Sequence, residues 1–257
     1  GSGTITTKSW NATFYHLKTA YTGQTASWAN NGTISGTLTL FGDSTGHLTA
    51  ASTAHGPSLT GSITPIASNG ATMTGGRVLF TGTYATIPAG TFYYGVEVAN
   101  NATLKLAGDV SSNYFRIYGG AAAATSTADL DGHNLTTTAS LDVGLSGDTT
   151  RYGKLINTSA ATSSTVTVGS YVYIRPSDTN NKNILDASGT KTINISVATD
   201  WTNADTFTAG ASTVTFNRTN ADQTITTAAT TQNNTFYNLT INNTGASGSD
   251  DILLSGT

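Results

Sequence analysis

The chain has 257 residues, of which 37% are hydrophobic and only 10% charged, with a formal net charge of −3 and no cysteine. Ordinary soluble domains carry roughly 25% charged residues. The composition excludes a disordered chain, because aromatic and β-branched residues are plentiful. It also excludes a basic nucleic-acid binder, because the 11 Lys and Arg are scattered, and it excludes disulfide or thiolate-metal chemistry.

Thr, Ser, Asn and Gly are poor helix formers, whereas Thr, Val, Ile, Tyr and Phe suit a pleated surface. The expectation is therefore an all-β fold. No apolar run approaches the roughly 20 residues that cross a bilayer, so no membrane span is predicted. From the N-terminus, period-two alternation predicts strands at 33–40 (TISGTLTL), 77–80 (RVLF), 95–98 (GVEV) and 103–106 (TLKL). It continues at 140–143 (SLDV), 165–168 (TVTV), 192–197 (TINISV), 213–216 (TVTF) and 239–242 (LTIN). Gly, Asn, Asp and Ser punctuate the gaps, as turns with positive φ require. The alanines 121–124 are too few to hold a helix and read as a loop. Residues 42–75, which include Pro57 and Pro65, form the least regular stretch.

Two architectures fit such a pattern. Tandem β-sandwiches would need separate cores joined by linkers, and no linker is visible. A parallel β-helix, or β-solenoid, uses three short strands and roughly two dozen residues per coil around a narrow apolar column. The modest hydrophobic content favours the second. The expected organisation is one solenoid segment over 1–257, with a less regular, loop-rich part at about 24–88. The tripeptide Thr-Phe-Tyr recurs at 13–15, 91–93 and 235–237, and its outer copies sit in the similar frames NATFYHLKTAYTG (11–23) and NNTFYNLTINNTG (233–245). Recurrence of this kind points to stacked units. It predicts that Phe14, Phe92 and Phe236 stack inside successive coils while the neighbouring tyrosines face outward.

Several stretches resemble known cassettes. They are 200–210 (DWTNADTFTAG) with 212–217 (STVTFN), 223–226 (QTIT) and 236–245 (FYNLTINNTG), together with 128–136 (ADLDGHNLT) and 102–110 (ATLKLAGDV). These are similar to the right-handed parallel β-helix repeats of bacterial and archaeal cell-surface proteins, adhesin-like and autotransporter-passenger-like. The similarity covers roughly 90–257, and the first 88 residues depart from it except at 11–23. It implies an adhesin, a surface layer or an extracellular fibre, and it marks an architecture, not an activity.

Candidate sites are few. N-x-[S/T] triplets make Asn31 and Asn101, beside Asn30 and Asn100 in expected turns, the leading glycosylation candidates, followed by Asn11, Asn134, Asn157 and Asn217. The doublets Asn180-Asn181, Asn233-Asn234 and Asn242-Asn243 fit a corner ladder instead, because Asn tolerates left-handed geometry. Asp129-x-Asp131-Gly132 resembles the start of a calcium loop, but the twelfth position is Ser140 where a Glu is needed. Turn capping is therefore expected there, and structural calcium is the sole cofactor considered. His16, His47, His55 and His133 show no metal-ligand spacing. Glu97 is the only glutamate, and Asp129, Asp131 and Asp142, with Arg116 and Arg151 at a distance, are the most suggestive acidic group. Polysaccharide cleavage needs clustered carboxylates, so the expectation is a non-enzyme without catalytic, cofactor or metal residues. The aromatics offer stacking surfaces for sugars.

The chain starts Gly1-Ser2-Gly3-Thr4 and stops at 253–257 (LLSGT) in mid-pattern. Open solenoid ends expose unpaired strand edges. The expectation is an extracellular or cell-surface structural protein that associates head to tail as a homo-polymer. Surface glycans are a further expected partner, and a carbohydrate-binding or polysaccharide-degrading module is the alternative.

Overall fold

The computed structural model describes residues 77–257 except 83, 122, 179–181, 190, 228–234, 246–250 and 257, with Tyr93 described in its backbone only. Before residue 77 it describes the backbone of the strands alone. The chain is all-β and winds as a parallel β-helix. Among the described residues no segment is helical, and every pair of strands runs parallel.

Each coil contributes up to three short strands, and each strand pairs with its counterpart one coil away. The first face climbs from Gly3–Ile5 to Asn238–Ile241, and the second from Ala12–Phe14 to Ile252–Gly256. The third runs from Leu17–Lys18 to Ile63–Pro65, then from Ala85–Ile87 to Thr206–Thr208. Gly90–Val98 and Val110–Ile117 turn the corner between the first two faces without a break, with a register shift between Phe92 and Gly95. Parallel one-coil pairing around one column rules out tandem sandwiches.

Alternation supplies the core. On the second face Val78, Val96, Phe115, Leu141, Val172, Trp201 and Ile225 lie one above another in register. All of them are buried. On the third face Ala85, Leu104, Ala128, Leu155, Leu185 and Phe207 do the same. Each fully buried Val, Leu or Phe contributes about 1.5–3 kcal/mol relative to exposure. Together they form one continuous core from Val78 to Ile225. Residues between the inward positions face water: Ser111, Thr136, Thr167, Ser196, Thr215 and Thr240 form a hydroxyl row along the first face.

Corners absorb variation in coil length. Strand partners one coil apart are separated by 18 residues (Arg77 and Gly95) to 31 (Leu141 and Val172). Asn100, Asn101, Asp131 and Asn220 turn with φ of 58, 63, 46 and 57°, the left-handed region that Asn and Asp tolerate best after Gly. Two buried asparagines staple coils together. Gly132 N donates to Asn157 Oδ1 at 2.9 Å, while Asn157 Nδ2 donates to the carbonyls of Thr162 and Lys191, both at 3.2 Å. Gly153 N donates to Asn183 Oδ1 at 2.8 Å, and Asn183 Nδ2 donates to Arg175 O at 3.0 Å. These two staples are single asparagines. Of the doublets expected from sequence, 180–181 and 233–234 lie outside the described residues, and Asn243 Oδ1 accepts from Arg218 N at 3.1 Å.

Other expectations change here. The Thr-Phe-Tyr copies do not occupy equivalent places. Phe14 belongs to a second-face strand, and its side chain lies outside the described residues. Phe92 is buried on the first face. Phe236 packs near the last coil, with ring centroids 5.6 Å from Trp201, 5.8 Å from Phe207 and 6.1 Å from Phe216. Phe14 ends its strand, Phe92 lies near the start of Gly90–Val98 and Phe236 precedes Asn238–Ile241, so the local likeness does not mark equivalent positions. Ala124 opens the strand Ala124–Asp129, because pairing with Arg151 recruits it once Ala123 has turned at φ 63°.

The inward and outward rows predict opposite sensitivities. Leu141→Ala should cost about 2–5 kcal/mol, while Thr136→Ala, on the exposed row, should change stability by less than about 0.5 kcal/mol. Chemical denaturation followed by circular dichroism measures both.

Candidate functional site on the second face

The second face carries a run of charge where a polar but neutral row would suffice. Glu97 lies on the outward side of Gly90–Val98, in register with Leu79 one coil before and Arg116 one coil after. Arg116 in turn pairs with Asp142, and Asp142 with Tyr173. One-coil pairing thus brings together residues 18 to 31 positions apart in sequence, at the strand spacing of about 4.8 Å.

Glu97 is only 1% exposed although it points outward. Arg77 Nη1 donates to its Oε2 at 2.8 Å and Tyr118 OH donates to the same oxygen at 2.8 Å. Tyr114 OH donates to Oε1 at 3.2 Å, and Arg116 Nη1 reaches Oε1 at a long 3.4 Å. Gly95 makes the cover possible. The Tyr114 ring lies so close over it that a Cβ there would overlap the ring. Tyr94 meets Tyr114 edge to face at 5.3 Å. Burial, and then the Glu97 charge, push the Tyr118 hydroxyl up to about 12 and the Tyr114 hydroxyl higher still. Both phenols therefore stay neutral donors at ordinary pH.

One coil further on, Asp142, also 1% exposed, accepts from Ser140 Oγ at 3.0 Å and from Arg175 Nε at 3.1 Å, with Arg175 Nη2 closer still. The Arg175 guanidinium lies 3.6 Å from the centroid of the Tyr173 ring. Both carboxylates are thus fully engaged. Arg116 is not: its Nε is buried and has no hydrogen-bond partner among the described residues. Its guanidinium sits 5.2 Å from the Tyr114 ring centroid.

The residues singled out from sequence scatter over other places. Asn101 is exposed in a left-handed turn. Asn134 is exposed, but its amide links coils: Nδ2 donates to Asp109 Oδ2 at 3.2 Å and Oδ1 accepts from Thr165 N at 2.9 Å. Asn217 is half-buried. Asn157 needs correction as a glycan candidate. It is 3% exposed with its amide nitrogen bonded to two carbonyls, which leaves no accessible nitrogen. Asn11 and Asn31 lie outside the described residues.

The acidic group does not assemble. The Asp129 carboxylate caps a turn, accepting from Asp131 N and Thr158 N, both at 3.0 Å, and from the Thr158 hydroxyl. Asp131 pairs with Lys105 at 2.9 Å, and Arg151 pairs with Asp148 at 3.0 Å. Only Asp142 joins Arg116 on the second face. Among the described residues no group of three His, Asp or Glu side chains is placed to hold a metal. His133 Nδ1 stands 3.9 Å from Asp109, while the side chains of His16, His47 and His55 lie outside the described residues. Sequence reading passed over the Glu97 cluster. The usable signal was a lone glutamate on a strand with arginines one coil length to either side.

A comparison with known proteins finds no matching protein family, no matching characterised protein and no matching solved structure.

The tyrosine cover predicts an alkaline transition. A hydroxyl that ionises near 10 when unfolded and near 12 when folded contributes stability that is complete below pH 10. That stability drains away as pH rises toward 12. Tyr118→Phe should remove that part of the pH dependence. Tyrosinate absorbance, with denaturation midpoints taken at pH 9 to 11.5, measures it.

Proposed function

We propose that this chain is a structural segment of an extracellular fibre or surface adhesin that associates end to end. The observation that carries the reading is the last coil. Leu239, Ile241 and Leu254 sit in register on the buried Val214, Phe216 and Ile225. Yet they are 45, 56 and 81% exposed. Their side chains continue the inward rows, and among the described residues nothing is stacked on them. The strands that carry them, Asn238–Ile241 and Ile252–Gly256, each pair along one edge only among the described residues.

Such a surface combines apolar side chains with unpaired backbone groups, and parallel strand addition satisfies both. A second copy stacking its first coil here extends the ladder with the same geometry. Because the contact joins unlike ends, it propagates instead of closing. The low charge supports the same role, since Thr and Ser hydroxyls solvate the flanks without mutual repulsion. A non-catalytic role is supported by Glu97 and Asp142, whose oxygens are committed to Arg, Tyr and Ser partners.

Concentration-dependent sedimentation tests the proposal. The unaltered chain should form species larger than a monomer, visible as filaments in negative stain. Ile241→Asp with Leu254→Asp should remain monomeric with the main unfolding transition kept. Persistent monomers of the unaltered chain at high concentration would overturn it.

A further inference from the structure

The second-face cluster is out of charge balance. Among the described residues it holds three guanidiniums (Arg77, Arg116, Arg175) against two carboxylates (Glu97, Asp142). Arg77 takes Glu97 and Arg175 takes Asp142 with short contacts. Arg116 lies between the two carboxylates in register, yet keeps one long bond to Glu97 and a buried Nε without a partner. A partly buried cation without full compensation is costly. Its side chain remains 31% exposed, beside Arg77 at 39%. The local surplus is positive on a chain whose net charge is −3.

The surroundings narrow the ligand. Tyr114 and Tyr118 spend their hydroxyls on Glu97, so what they offer outward is ring surface, and Tyr94 adds a further ring against Tyr114. Guanidinium grips a carboxylate through two parallel donors, and aromatic rings accept the apolar faces of sugars. Coils repeat at about 4.8 Å, comparable to the length of one sugar ring in an extended chain. A nucleic acid would require several free cations for its phosphates, and among the described residues this patch has only Arg116 incompletely paired. We propose that Arg116, with the rings of Tyr94, Tyr114 and Tyr118, forms a binding site for the carboxylate of an acidic sugar in a polysaccharide. Glu97 acts as a positioning residue that holds the rings and the guanidinium in place.

The site is separate from the end-stacking surface, so the test uses the full-length monomeric fraction and stays readable whether or not filaments form. Calorimetry at low salt compares an oligogalacturonate with a neutral malto-oligosaccharide of equal length. The uronate should bind, the neutral sugar should not, and Arg116→Gln should weaken binding about tenfold or more. Should that variant misfold, footprinting of the unaltered chain with an arginine-specific dicarbonyl decides. The uronate should slow modification of Arg116 while Arg151 and Arg218 react as before. Equal binding of the neutral sugar, an unchanged Arg116 rate, or equal protection by inorganic phosphate would each overturn the assignment.

Discussion

Parallel pairing at one strand spacing is the constraint on which the rest of this molecule depends. It fixes what lies above what. Once Leu141 is in register with Phe115 below and Val172 above, the inward row must be apolar at every coil, because no water reaches it. The same rule governs the outside. A residue that would be an ordinary surface side chain on a free strand is held about 4.8 Å from its neighbours on both sides. Hydroxyls tolerate that crowding, and charges of one sign do not. The scarcity of charge and the abundance of Thr and Ser follow from the stacking.

Seen this way, the charged run on the second face is the exception to explain. Its signs alternate along the coil axis, from Glu97 to Arg116 to Asp142, so crowding becomes attraction. Both carboxylates are buried, Glu97 against Tyr114 and Tyr118 and Asp142 against Arg175, which strengthens each hydrogen bond and raises the penalty for any group left without one. Glu97 and Asp142 meet that condition in full. Arg116 does not. Replacing the run with threonines would give a simpler face of the kind seen on the first side.

The architecture was legible from sequence because alternation is local: each strand announces its inward side in four or five residues, as TVTV and TINISV do. The all-β class needed nothing more, whereas the parallel winding rested also on the modest hydrophobic content and the absence of a visible linker. What could not be read was which residues meet across coils. Pairing distance varies from 18 to 31 residues, so neither a fixed period nor the Thr-Phe-Tyr likeness locates partners. The Glu97 cluster and the Asn157 and Asn183 staples depend on that distance, and so escaped. Asn157 illustrates the cost: its N-x-S triplet is a local signal, whereas its burial is set by Gly132 and Lys191 in the coils on either side.

Variable coil length also explains why the staples sit at the corners. Strand faces cannot absorb an extra residue without flipping every following side chain between inside and outside. Corners can, provided that the freed backbone groups find partners. Asn157 and Asn183 supply those partners: Asn157 reaches the coils on either side through its oxygen and its nitrogen, and Asn183 ties Gly153 of the coil before to Arg175 of its own. A coil can thus lengthen without loss of register while the column stays dry. Leu239, Ile241 and Leu254 keep the inward geometry of the same rows, and their exposure among the described residues is that of a layer not yet covered. The rule that makes the interior self-consistent makes each layer a surface suited to one more layer of the same kind.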